Sequence, residues 1–255
     1  MGVDDETYRA CSGLRFAEGL RRRSAEARAE AAVQEGVALG SLIGIRVSPE
    51  DLRGAAVNAE SFVSKDPSLA GALGVWRAAW ALLSGLPPLN ARKPVREVPR
   101  PWPARVASWH RDICSFLVAA GLMDAGAVAL PSSTAAIQVL QRSGDAAERA
   151  QLAWRAFTVD PPFEYGSAVI GALCAKQILA EEGIEPTGVA VLGAFAAANP
   201  AAFPPAEPND GARLCADAGR TVGDTWGPFL EQSIKIGCAK GLEIARFVQA
   251  GTTGR

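Results

Sequence analysis

One histidine, two methionines and two tyrosines in 255 residues leave little material for several classes of chemistry. A Ser-His-Asp or Cys-His arrangement would have to use His110, in ASWHRDICSFL. Asp112 is two residues away, off the helix face that residues three or four apart would share with His110. Between Trp109 and Ile113, His110 reads as a residue at the edge of the core. There is no CxxC pair: Cys11, Cys114, Cys174, Cys215 and Cys238 are odd in number and scattered. They read as buried apolar residues in a reducing compartment, not as a disulfide framework or a zinc site. A metal centre would rest on carboxylates alone, without an ExxH pair. No run of about 18 apolar residues is present, so no membrane span is expected. The opening MGVDDETYRA lacks the basic and apolar regions of a secretory signal. Twenty-six basic side chains against 27 acidic ones give a formal charge of −1, with no concentrated basic surface of the kind that binds nucleic acid through its phosphates. The expectation is a cytoplasmic protein that engages neither nucleic acid nor membrane.

What is present points to helices. Apolar residues make up 49% and charged residues 21%, a globular balance. Alanine, leucine, glutamate and arginine dominate, and no alternating segment is long enough for a strand. The predicted fold is all-α, a single multi-helix domain over residues 1–255. Residues 1–48 hold a long N-terminal helix, from about Tyr8 to Leu42, on which Arg28 and Glu30 suit a partly solvated face. Ser48-Pro49-Glu50-Asp51 starts the next helix. Pro67 to Leu86 carries an apolar stripe with Trp76 and Trp80, which is most simply core. Residues 85–103 contain six prolines and cannot be a regular helix. With Arg92, Lys93, Arg96, Arg100 and Arg105 beside Trp102, this loop is either a solvated connection anchored by its tryptophan or a dock for an acidic partner. Further helices are expected from Ala104 to Gly121, Ser132 to Arg142, Asp145 to Val159 and Ser167 to Glu182, the last ended by Gly183. A second proline-rich loop occupies 201–211. A final helix within 224–250, from Trp226 to Gln249, buries Phe229, Ile234, Ile236, Leu242, Ile244 and Phe247.

The stretch VDPPFEYGSAVIG, from Val159 to Gly171, has the most chemical content. Gly166 turns a loop into a helix, and backbone N–H groups at such a point can hold a phosphate with help from the helix dipole. An ordinary helix start accounts for the same residues, because a single glycine is far less specific than GxGxxG or GxxxxGK[ST].

This arrangement resembles the Fic/Doc (fido) family, all-helical proteins whose enzymes transfer AMP from ATP to a protein hydroxyl. Their signature is His-x-Phe-x-Asp/Glu-Gly-Asn-Gly-Arg-x-x-Arg. Phe163 and Gly166 keep their places, and Pro162 matches the residue common before the phenylalanine. The base falls on Pro161, the magnesium-holding acid on Tyr165 with Glu164 one residue early, and the anion-nest Asn-Gly on Ser167 and Ala168. The two nucleotide-binding arginines fall on Val169 and Ala172. A second fragment, Arg21 to Gly54, resembles the part of actinobacterial Fic-like proteins that carries a Ser-x-x-x-Glu-Gly inhibitory motif. Gly44, Arg46 and Val47 fit it, and Ile43 stands for the glutamate. EEGIEPTGVAV, from Glu181 to Val191, resembles the segment after the signature helix.

The resemblance implies Fic-like core helices over 145–200 and a degenerate site. Loss of the histidine removes general-base help worth roughly 10²- to 10⁴-fold, and loss of the arginines removes charge stabilisation of the phosphates. The expected function is a catalytically degenerate Fic-like binding or regulatory module with a protein partner and no cofactor, a homodimer being one arrangement. One alternative is a nucleotidyl- or phosphoryl-transferring enzyme in which Asp160 or Glu164 serves as base, with ATP and magnesium. The other is an unrelated all-helical interaction protein.

Overall fold

Short polar side chains and prolines set most helix starts. Asp4, Ser48, Asp66 and Asp145 each accept a hydrogen bond from a main-chain N–H of the first turn, and Pro49 and Pro67 follow their caps directly. In the computed structural model, which describes residues 3–59, 64–89, 100–204 and 225–251, the helices are α1 (Asp5–Arg15), α2 (Glu18–Ser41), α3 (Pro49–Val57), α4 (Pro67–Ser84), α5 (Trp102–Ala119), α6 (Ala135–Val139), α7 (Ala146–Val159), α8 (Ser167–Glu181), α9 (Gly193–Ala198) and α10 (Trp226–Gln249). Among the described residues there is no strand. The all-α expectation holds, and the helices share one body.

Helix α8 is its axis. Ser167, Val169, Ile170, Gly171, Leu173, Cys174, Lys176 and Ile178 are all buried, so the helix is enclosed over most of its length, with Gln177, Ala180 and Glu181 reaching the surface near its C-terminal end. It packs on α7, α5, α4 and α2, while α2 also meets α4, α9 and α10. Removing each large aliphatic side chain from water contributes about 1.5–3 kcal/mol. Gly183, at φ +76°, ends α8 as expected: its N–H bonds to Ala180 and that of Ile184 to Leu179, satisfying the last carbonyls.

Several boundaries differ from expectation. The long N-terminal helix is broken at Phe16 and Ala17, which leave helical geometry, and α2 kinks again at Arg23. The break lets Leu14 and Leu20 both bury completely, with Gly19 set directly against the backbone of Ala245 on α10. Arg28 and Glu30 are buried, not solvated. Arg28 donates to the carbonyls of Thr187, Leu86 and Pro87, and Glu30 takes a two-pronged bond from Arg53. The helix expected over Ser132 to Arg142 shrinks to α6, because the N–H and hydroxyl of Ser132 both bond to the Pro162 carbonyl. Helix α5 begins at Trp102, so the first proline-rich loop ends before it; residues 90–99 lie outside the described residues. So do residues 205–211 of the second loop, and Cys215. Arg105 stacks over the Trp102 ring at 4.9 Å and pairs with Glu181. On α10 the bounds match, but Ile236 and Phe247 are exposed and Leu242 is half-buried. Trp76 and Trp80 are half-buried and pack against the core from its margin.

Candidate functional site

The loop before α8 is held by its own atoms. Gly166 takes φ +77°, a conformation that L side chains rarely adopt, and a Cβ there would lie 3.0 Å from Ile113 Cγ2. Ser167, the next residue, folds its hydroxyl back onto Phe163. Its Oγ accepts from the Phe163 N–H at 2.9 Å and donates to the Phe163 carbonyl at 2.8 Å. Pro162 is buried, with its carbonyl capped by Ser132, whereas Pro161 and Glu164 are exposed. Asp160 is half-buried and accepts a long bond, 3.4 Å, from the Ser133 hydroxyl. Phe163 is buried with its ring stacked on that of His110, centroids 4.0 Å apart and planes 12° apart.

His110, only 2% exposed, is part of this packing. Its Nδ1 accepts from the Ala129 N–H at 2.8 Å, so Nε2 carries the proton of the neutral ring, 3.5 Å from Cys114 Sγ. Ala129 is itself in a left-handed conformation, φ +60°. Burial pushes the His110 pKa down, against a smaller opposing pull from the Tyr165 carbonyl, and pushes the Cys114 thiol up to about 11. A folded-state value below the unfolded one means that acid protonates the unfolded chain first. Stability is therefore expected to fall as pH drops below about 6.5, toward the depressed folded value. Urea titrations between pH 7 and 5 check this: the wild-type midpoint should fall more steeply than that of His110→Asn.

The signature positions are placed accordingly. Tyr165, where the resemblance puts a metal-holding acid, lies half-buried against α4, with its hydroxyl beside Gly71. Burial raises its pKa to about 12, which keeps it protonated. Val169 and Ala172, at the arginine positions, are 0% and 1% exposed within the interior. A side chain from either place points into packed protein. Removing the Ser167 hydroxyl would leave the buried Phe163 N–H without its partner, so Ser167→Ala is expected to cost about 1–3 kcal/mol. Chemical denaturation would measure the loss.

A cleft of roughly 730 Å³ opens elsewhere, at the connection from α2 to α3, where Arg46, Val47, Ser48, Asp51, Asn58 and Asp66 line it. The second fragment of the resemblance reaches this cleft through Arg46 and Val47. Ile43 is half-buried and Gly44 sits at φ +79° as the chain leaves α2.

The sequence reading missed a buried polar network on the far side of α8. Glu35, on α2, is fully buried. Its Oε1 accepts from Lys176 Nζ at 2.8 Å and from the Leu192 N–H at 2.8 Å, and its Oε2 from the Gly193 N–H at 3.1 Å. The carboxylate thereby meets the N-terminal end of α9. Lys176 also donates to the Ala190 carbonyl. Nearby, the buried Glu185 accepts from the main-chain N–H and the hydroxyl of Thr187. Burial raises its pKa, with Lys176 opposing the shift. The signal available in sequence was a lysine amid the apolar run SAVIGALCAK, where an unpaired charge would be costly.

Among the described residues no group of three or more His, Cys, Asp or Glu side chains is arranged to hold a metal, and no helix is long and apolar enough to cross a membrane. No family model, curated protein or solved structure matches the chain.

Proposed function

We propose that this is a Fic-like helical protein that has lost transfer chemistry and acts as a binding or regulatory module for a protein partner. The observation that carries the reading is that the loop before α8 is occupied by its own side chains. The Ser167 hydroxyl takes the Phe163 main-chain groups, His110 covers the Phe163 ring, and Val169 and Ala172 are sealed in the core. A nucleotide triphosphate needs several cationic or N–H donors at such a junction. The one basic residue of α8, Lys176, is turned to Glu35 on α2.

The competing enzyme reading assigns the base to Glu164, which is exposed, or to Asp160. Incubation with ATP labelled on the α-phosphate, in magnesium, separates the two. The module reading expects no covalent label on the protein itself or on added lysate proteins. Labelling that falls in Glu164→Gln or Asp160→Asn would establish the enzyme instead.

A further inference from the structure

We infer that Cys11 and Cys238 are a redox-responsive pair: a disulfide-class oxidant joins their sulfurs and fastens α1 to α10. The two Sγ atoms already touch, 3.7 Å apart, between residues 227 positions apart in the chain. A disulfide is about 2.05 Å long, so closure asks for a small approach from two side chains aimed at each other. Both thiols are buried.

The surrounding structure sets how an oxidant gains access. Cys11 lies on the inner face of α1 with Thr7 and Leu14, and Leu14 packs where Gly241 leaves room on α10. At its outer end α1 is tied by exposed ion pairs from Lys235 to Asp4 and Glu6. At its other end stand the non-helical Phe16 and Ala17, so α1 can lift from α10 while α2 stays in the core. Closed, the Cys238 thiol is protected, since contact with Cys11 and burial both raise its pKa. Opening exposes Cys11 to solvent.

The chemistry is ordinary thiol–disulfide exchange. The Cys11 thiolate attacks one sulfur of an oxidant RSSR, forming a mixed disulfide and expelling RS⁻, which takes a proton from water. While α1 is still lifted, with the R group held outside the interface, Cys238 gives its proton to solvent and attacks the Cys11 sulfur, expelling the second RS⁻, which is protonated in turn; α1 then redocks. Two protein thiols are oxidised and one RSSR is reduced to two RSH. The product closes a long loop and so restricts the unfolded chain. Cys114 faces His110 instead, and Cys174 lies within α8.

The test is incubation of the full chain with oxidised glutathione, alkylation of remaining thiols, and peptide mass mapping. The expected product is the Cys11 peptide joined to the Cys238 peptide with loss of two hydrogens. It should be reversible by dithiothreitol and accompanied by a higher urea midpoint, and both changes should be absent in Cys11→Ala and Cys238→Ala. Complete alkylation of Cys11 and Cys238 after prolonged oxidation would overturn the inference, as would a stable glutathione adduct on Cys11 or pairing of either cysteine with Cys114, Cys174 or Cys215. The wild-type mass map decides the matter even where a variant folds poorly.

Discussion

Lys176→Met is expected to lower the unfolding free energy by about 3–5 kcal/mol, because it leaves the Glu35 carboxylate buried without its counter-ion. Methionine fills much the same space, so little of the loss comes from packing. The carboxylate would keep its bonds from the N–H groups of Leu192 and Gly193, yet its charge would face the core opposed only by dipoles. Adding Glu35→Gln to the variant should recover part of the loss, since the amide carries no charge and its single oxygen still accepts from one of those two N–H groups. Urea unfolding of the wild type, the single variant and the double variant measures both effects. A single variant within about 0.5 kcal/mol of wild type would mean that the pair contributes no more than a surface ion pair.

Trp154→Ala should cost about as much, roughly 3–5 kcal/mol. Trp154 is fully buried on α7, where its backbone lies against Gly171 of α8. Its ring meets Phe229 edge-on, with centroids 5.1 Å apart, and Phe203 at 6.4 Å. Phe203 and Phe229 also contact Trp226 at the start of α10. Truncation would remove the ring that joins α7 to this aromatic group and leave a cavity that rigid helices fill poorly. Trp154→Phe should lose distinctly less. Fluorescence-monitored unfolding reads both, and an equal loss in the two variants would contradict the cavity account.

The features legible in sequence were those that a helix writes locally. Ser48 and Pro49 marked the start of α3, Gly183 the end of α8, and the apolar spacing from Trp226 to Gln249 the bounds of α10. Gly166, a glycine between a loop and an apolar helix, has the φ that such a turn requires. The misreadings came from contacts made across the fold. The residues from Tyr8 to Leu42 suit one continuous helix, yet Leu14 and Leu20 lie on two, with Gly19 between them set against Ala245. Arg28 and Glu30 carry the charges of a solvated face, but distant carbonyls and Arg53 satisfy them inside the protein. The helix expected from Ser132 is cut short because Pro162, thirty residues on, takes the hydrogen bonds of Ser132.

The candidate site divides the same way. Which residues stand where the resemblance would put a histidine, an acid and two arginines could be read directly from the chain. How they are accommodated could not. The hydroxyl of Ser167 closing on Phe163, and His110 stacking behind it, depend on the packing of α5 against α8. The Glu35–Lys176 pair joins residues 141 positions apart: a lysine inside an apolar helix signals that a partner exists, and nothing local says which residue it is.

We propose that the loop from Pro161 to Ser167 builds the fold and does not bind nucleotide. Calorimetric titration of the full chain with ATP and magnesium tests it most directly. No saturable heat and no shift of the unfolding temperature are expected up to millimolar nucleotide. Saturable binding at micromolar ATP, weakened by Glu164→Gln, would contradict it.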